Sequence, residues 1–183
     1  MKRTLILILF VIAPFFNTVA QQSPSFLHKN SLQLELGGHG LIYSFNYERI
    51  LVDKGKHKTA GQIGIAYYPA SVGFRDFWMP VGINQIYNFT SSHHFEAGLG
   101  MVLIREALRN EDNEAVNWFW DAFISARLGY RYQKPNGRYL FRVGLTPVLE
   151  TYLFREIVPK PTFGRRISSD FHFLAGVSVG YSF

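Results

Sequence analysis

The chain of 183 residues contains no cysteine. Disulfides, thiolate metal sites and a cysteine-linked lipid anchor are therefore excluded. It also lacks, beyond Ala20, any uninterrupted apolar stretch long enough to cross a bilayer as a helix. The one long greasy run, Leu5 to Phe16, is short for a span, and Pro14 interrupts it. What surrounds that run gives it another meaning. Lys2 and Arg3 precede it and Asn17-Thr18-Val19-Ala20 follow it, in the order of a secretory signal peptide. Cleavage is expected after Ala20, so that residues 1–20 leave and residues 21–183 form a single domain. Losing Lys2 and Arg3 takes the formal charge from +6 to +4. That modest excess suits anionic headgroups, whereas an export signal argues against nucleic acid as a partner. An exported chain with no helical anchor is periplasmic, secreted or an outer-membrane barrel.

What the chain has in quantity is aromatic residues, 17 Phe and 10 Tyr, and they recur on one parity. Phe171 to Phe183 shows the pattern at its clearest. Phe171, Phe173, Ala175, Val177, Val179, Tyr181 and Phe183 alternate with residues that, Leu174 apart, are small or polar. Side chains alternate faces along a strand, so one face is greasy and the other thin. A soluble strand would carry charge on its polar face. Glycine and serine there point instead to a crowded interior, with the greasy face on lipid.

Eight such segments can be marked, at about 31–36, 41–49, 61–68, 77–89, 94–104, 118–132, 139–149 and 171–183. Between the first two, Gly37-Gly38-His39-Gly40 makes a hairpin, because the apolar parity switches across it; a bulged long strand is the fallback. Pro80 lies near the start of its strand, and Pro147 suggests a local bulge. Pro135-Asn136-Gly137 is the strongest turn signal. With both termini in the periplasm, the connectors 52–58, 90–93 and 133–138 face inward and are short, while the glycine hairpin, a tight exception, and the connectors 69–75, 105–117 and 150–169 face outside. His93-His94 falls in one of the short periplasmic turns. Long outside and short inside is the habit of outer-membrane barrels. The expected fold is all-β: an eight-stranded antiparallel up-and-down transmembrane β-barrel with a filled polar lumen and no wide pore.

Placing the non-lipid parity inside collects charges. Glu48, Glu96, Arg131 and Arg142 fall toward the periplasmic ends of their strands, with Arg127 and Glu35 nearer the middle. Unpaired, each would cost several kcal/mol, so a lumenal ion-pair network is expected in place of a gated conduit or a proton-sensitive site. Asp121, Glu150, Asp170 and His172 gather at the outside mouth, but no loop has a calcium spacing, and neither a metal nor a cofactor is expected. Arg105, Arg109, Arg155, Lys160, Arg165 and Arg166 lie in the two longest outside loops, where arginine could contact lipopolysaccharide phosphates. Tyr43, Tyr47, Tyr87, Phe89, Trp118, Trp120, Tyr130, Tyr132, Tyr181 and Phe183 lie toward strand ends as two aromatic girdles.

The final strand ending in Phe183 resembles the assembly signal of outer-membrane barrels, and the mature chain looks like the small barrels of the outer-membrane protein A and X type. Leu34-Glu35-Leu36-Gly37-Gly38 through Tyr43-Ser44-Phe45-Asn46-Tyr47-Glu48-Arg49 is similar to the opening of a widespread group of uncharacterised porin-like barrels. The resemblance implies a Gram-negative outer-membrane location. It also implies insertion by the barrel-assembly machinery, with Tyr181 and Phe183 as recognition residues. The absence of a peptidoglycan-binding domain departs from the larger members and would leave no periplasmic tether. A monomer with a structural, lipid-contacting or adhesive role through its outside loops is the reading that follows. Its rivals are a lipid A-modifying enzyme, for which His39, His172, Ser168, Ser169, Asp170 and Glu150 would have to meet near the rim, and a soluble lipocalin-like carrier. No catalytic residue is assigned, because those residues have no recognisable hydrolase spacing.

Overall fold

The computed structural model describes residues 25–40, 42–68, 76–109, 115–149 and 171–183. They form eight strands: β1 (Asn30–Gly37), β2 (Tyr43–Lys54), β3 (His57–Tyr68), β4 (Asp76–Asn88), β5 (His93–Arg109), β6 (Ala115–Gln133), β7 (Tyr139–Leu149) and β8 (Phe171–Ser182). Each pairs antiparallel with the next, and β8 returns to β1 to close the barrel. The register of that seam sets Leu34 opposite Val179 and Leu36 opposite Val177. One greasy row therefore continues across it. Closure leaves no edge strand, so every strand finds backbone partners on both sides.

The strands run further than alternation alone suggests. The connector expected at 52–58 is mostly ladder, with Asp53 opposite Lys58 and Lys54 opposite His57, and the turn shrinks to Gly55-Lys56. Gly55, at φ 60°, supplies the left-handed residue that so tight a turn needs. Likewise β5 and β6 pair out to Arg109 and Ala115, well into the segment expected to be a loop. The register between β2 and β3 shifts at Leu51, a bulge that turns both Leu51 and Val52 outward.

The glycine hairpin is present, with Leu36 opposite Tyr43. Gly37 and Gly38 have φ of 73° and 65°, and Gly38–Gly40 is one turn of 3-10 helix. This turn folds inward, leaving Gly38, His39 and Gly40 buried. A Cβ at Gly37 would collide with the Ala175 carbonyl of β8, so glycine is required there twice over.

Pro147 does not create a bulge. Its side toward β8 keeps register, with Pro147 opposite Phe173, and its side toward β6 resumes on the same register after two missing pairs. Pro80 behaves in the same way, paired with Val102 on β5 but opening a two-pair gap toward β3. Each proline withholds one donor and interrupts one ladder, and the closed sheet absorbs the loss. At the strongest turn signal the Gly137 N–H donates to the Lys134 carbonyl at 3.0 Å. Pro135 and Asn136 thus form the corner.

The end bearing the short hairpins is here termed the base and the opposite end the mouth. The outer wall is apolar, with Leu99 and Phe173 each 70% exposed. Inside, the lumen is layered. Ala66, Tyr68, Trp78, Val102 and Ile104 pack together toward the mouth, joined by Tyr43 and Phe123. Phe26, Ile50, Ala60 and Ile86 pack together at the base. Ionised and amide side chains fill the middle.

Phe26 precedes β1 and reaches the base because its neighbours are fastened. The Leu27 N–H donates to the Pro135 carbonyl at 2.9 Å, and the Ile50 N–H to the Lys29 carbonyl at 2.8 Å. Its ring meets His94 edge-on at 5.2 Å and lies beneath the Lys58 ammonium at 5.1 Å. Lys58 is itself fully buried, held by Asp53 at 2.5 Å and the Gly55 carbonyl at 2.9 Å. The barrel is thus stoppered at the base by a residue that alternation did not single out.

Candidate functional site

The middle layer contains three carboxylates and three guanidinium groups: Glu35 from β1, Glu48 from β2, Glu96 from β5, Arg127 and Arg131 from β6, and Arg142 from β7. All six sit on the inward parity of their strands and are nearly inaccessible, Glu48, Glu96 and Arg131 being only 1% exposed. Arg131 and Arg142 stand directly opposite one another on adjacent strands. Like charges so placed repel. Two carboxylates resolve this, Glu48 from β2 across the lumen and Glu96 from β5 beside β6, because each touches both arginines. Arg131 Nη1 lies 2.6 Å from Glu48 and 3.5 Å from Glu96, and Arg142 Nη1 lies 3.0 Å from Glu48 and 2.9 Å from Glu96. Charge alternates around a ring of four groups that spans the lumen.

A third pair sits on top of this ring. Arg127 is bonded to Glu35, and its other nitrogen lies 3.6 Å from Glu96, so the two tiers share a carboxylate. Neutral groups occupy the remaining hydrogen-bonding positions. Asn84 donates to Glu48 at 3.3 Å and to Gln62 at 3.1 Å, while Arg131 Nε donates to Gln133 at 2.8 Å and Arg142 Nε to Ser178 at 3.0 Å. Gly64 and Gly98 lie beneath Asn46 and Asn84, whose amide oxygens occupy the space a Cβ would need. The thin parity of the strands is what allows the long arginines to lie across the barrel.

Equal numbers of opposite charges, densely cross-bonded, meet the requirement for burying ions without stranding one of them. A cavity of about 10 Å³ remains beside Glu35, Glu96, Arg127 and Arg142, room for about one water molecule. Among the described residues, no three His, Asp or Glu side chains are grouped to hold a metal ion.

Five of these six residues, Glu48, Glu96, Arg127, Arg131 and Arg142, are the ones the sequence places in a lumenal network, and the structure brings them together with Glu35. Gln62, Asn84 and Gln133 complete the set, and a signal for the first two lay in their inward parity. Lys58 is buried although it falls in a segment expected to be a solvated connector. His39 is not at the rim. It is buried, with Nδ1 2.7 Å from Ser125 Oγ on β6. His172 is exposed on β8. Ser168, Ser169, Glu150, Asp170 and the side chain of Asp121 lie outside the described residues, so the rim constellation cannot be assembled from those described.

Of the cationic group, Arg105 is exposed and belongs to β5 instead of a loop, as does Arg109, whose side chain is outside the described residues; Arg155, Lys160, Arg165 and Arg166 also fall outside them. Tyr181 is on the outer wall and accepts a hydrogen bond from Arg138 at 2.6 Å. The Phe183 N–H donates to the Asn30 carbonyl at 2.8 Å, extending the seam by one residue. His93 and His94 open β5 instead of lying in a turn. His93 points out onto Tyr130 and Tyr132, and His94 points in beneath Phe26. Tyr87, Phe89 and Phe95 continue this band of aromatic contacts around the base.

No family model and no curated protein matches the chain. Among solved structures, the N-terminal β-barrel domain of Pseudomonas aeruginosa OprF matches with a TM-score of 0.51 at 13% sequence identity, over 85% of this chain and 96% of that one. At that identity the likeness is one of fold: both are small β-barrels.

Proposed function

We propose that this chain is an exported, monomeric outer-membrane β-barrel of a Gram-negative cell, non-enzymatic and closed to solutes. Its work would be done by its surfaces: hydrocarbon against the wall, and lipopolysaccharide or an adhesive partner against the mouth-side segments that carry Arg105, Arg109, Arg155, Lys160, Arg165 and Arg166. The observation that carries this reading is the inverted polarity. Leu99, Phe45 and Ile83 are among the exposed residues, whereas Glu48, Glu96 and Arg131 are buried. Water would penalise that arrangement and lipid favours it. A lipocalin-like carrier would need the reverse, an apolar lumen for its cargo and a charged exterior. Insertion by the barrel-assembly machinery, reading Tyr181 and Phe183, belongs to the same proposal and is supported by their exposure on the outer wall.

The test is fractionation of expressing cells, followed by gel electrophoresis of the purified protein with and without boiling. Recovery in the outer membrane, with mobility that changes on heating and no steady conductance in planar bilayers, is the expected result. Folded protein in the periplasmic extract without detergent would overturn the proposal. Within it, Val177→Arg, which sets a charge on the outer wall at a half-exposed position, is expected to cost about 2–4 kcal/mol of stability in lipid vesicles. Equilibrium unfolding in urea would measure this, and an unchanged midpoint would contradict the lipid-facing assignment.

A further inference from the structure

The outer wall is not uniform. Across β2 to β6 it sinks into a shallow, open hollow of about 1240 Å³. Small residues make the floor: Ala97 on β5 and Ala126 on β6 take outward positions that Ile or Leu fills nearby, while the Leu51 side chain leans over Gly61 on β3. Ile83, Leu99 and Leu128 stand up around them, each more than half exposed. The register explains the shape, because Gly61 is opposite Ile83, Ile83 opposite Leu99 and Leu99 opposite Ala126. Tall side chains thus sit at the centre of one row, with small ones at its two ends.

The base end of this hollow is polar. Arg49, an exposed residue on β2, faces outward opposite Gly61 and makes no hydrogen bond or ion pair among the described residues. Gln85 also faces outward there, its carbonyl oxygen taken by the Thr59 hydroxyl at 3.0 Å, which leaves its amide N–H groups to point elsewhere. A guanidinium without a partner on β2 and amide donors on β4, both bordering an apolar hollow, are complementary to one kind of molecule: a phosphate joined to a hydrocarbon chain. The aromatic band at the base, which includes Tyr87, marks headgroup depth for the same end of the barrel.

We infer that this hollow is a phospholipid site, with the lipid phosphate on Arg49 and Gln85 and an acyl chain lying over Ala97 and Ala126. The inference rests on the bilayer placement proposed above. It differs from ordinary lipid contact in requiring one particular lipid molecule to stay with the protein. Arg49 merely extending its head to the nearest water would require none.

Native mass spectrometry of the full chain in detergent micelles, titrated with phosphatidylglycerol and separately with diacylglycerol, tests it. One phosphatidylglycerol per barrel is expected at concentrations at which diacylglycerol is not retained. Arg49→Ala, which removes the anion partner, is expected to weaken retention about tenfold, the scale of one lost charge-assisted contact, and Ala97→Leu, which fills the floor, is expected to weaken it measurably as well. Val179→Ala on β8, which lies between β7 and β1 and adjoins none of the strands of the hollow, should leave it unchanged. Equal retention by wild type and both variants, or a dimer mass showing that a second copy covers the hollow, would overturn the inference while leaving bilayer placement intact. A chain that stays folded and dispersed without detergent would remove the placement itself.

Discussion

Glu48→Ala is expected to lower the stability of the barrel by about 3–5 kcal/mol, the cost of leaving a buried charge uncompensated. The magnitude follows from the position of Glu48 in the ring of four. It is the nearer of the two carboxylates on Arg131, at 2.6 Å, and holds Arg142 at 3.0 Å, so its removal leaves two guanidinium groups that face each other across β6 and β7 short of a counter-charge. Glu96 then remains as the one carboxylate between them. Urea unfolding in vesicles measures the loss. The sharper result is a double-mutant cycle with Arg131→Ala. Removing both partners leaves fewer stranded charges than removing either, so the pair should cost less than the sum of the singles by more than about 1 kcal/mol. Simple additivity would mean that these two side chains are not partners in solution.

Phe26→Ala is expected to be about as costly, roughly 3 kcal/mol, near the lower end for truncating a buried phenylalanine. Its ring is 2% exposed and packed on Ile50, Ala60 and Ile86, so a cavity would open at the base. That cavity would lie next to the Lys58 ammonium and the His94 ring, both polar, and water entering it would moderate the loss. Two measurements separate this from a general loosening. The urea midpoint should fall, and proteolysis should begin in the segment around Ser25–Lys29, which the ring helps to fasten. Phe26→Leu, which restores most of the volume, should recover most of the stability. A variant with Ala at this position as stable as the parent would show that the base is not stoppered by this residue.

The strands themselves were legible because alternation is a direct imprint of a wall with two different faces, and each of the eight marked segments overlaps one observed strand. Their ends were less so. Ladder pairing at Asp53, Lys58 and His57 continues where the apolar signal has stopped, since backbone hydrogen bonding does not require greasy side chains. The charged lumen was visible as ions on the thin parity, yet the choice of partners was not: Arg142 meets Glu48 across 94 residues of chain, and nothing local announces it. Tyr68 and Trp78 escaped for a different reason. Each follows another aromatic, in Tyr67-Tyr68 and Phe77-Trp78, so both faces of the strand look alike at that point and parity gives no answer. Phe26 lies before the first alternating stretch among polar residues, and only tertiary packing reveals its place.

The seam between β1 and β8 has a kinetic corollary. Asn30 and Phe183 meet across 153 positions of chain, and until they do, the first and eighth strands each display a full row of unmated amides and carbonyls. In the bilayer placement proposed above, such rows carry a penalty of several kcal/mol per group, so partly zipped forms with fewer strands cannot be resting states. Assembly should therefore look all-or-none from within the membrane, slow because its last contact is its most distant, and halted outright by any change that keeps the eighth strand from mating with the first.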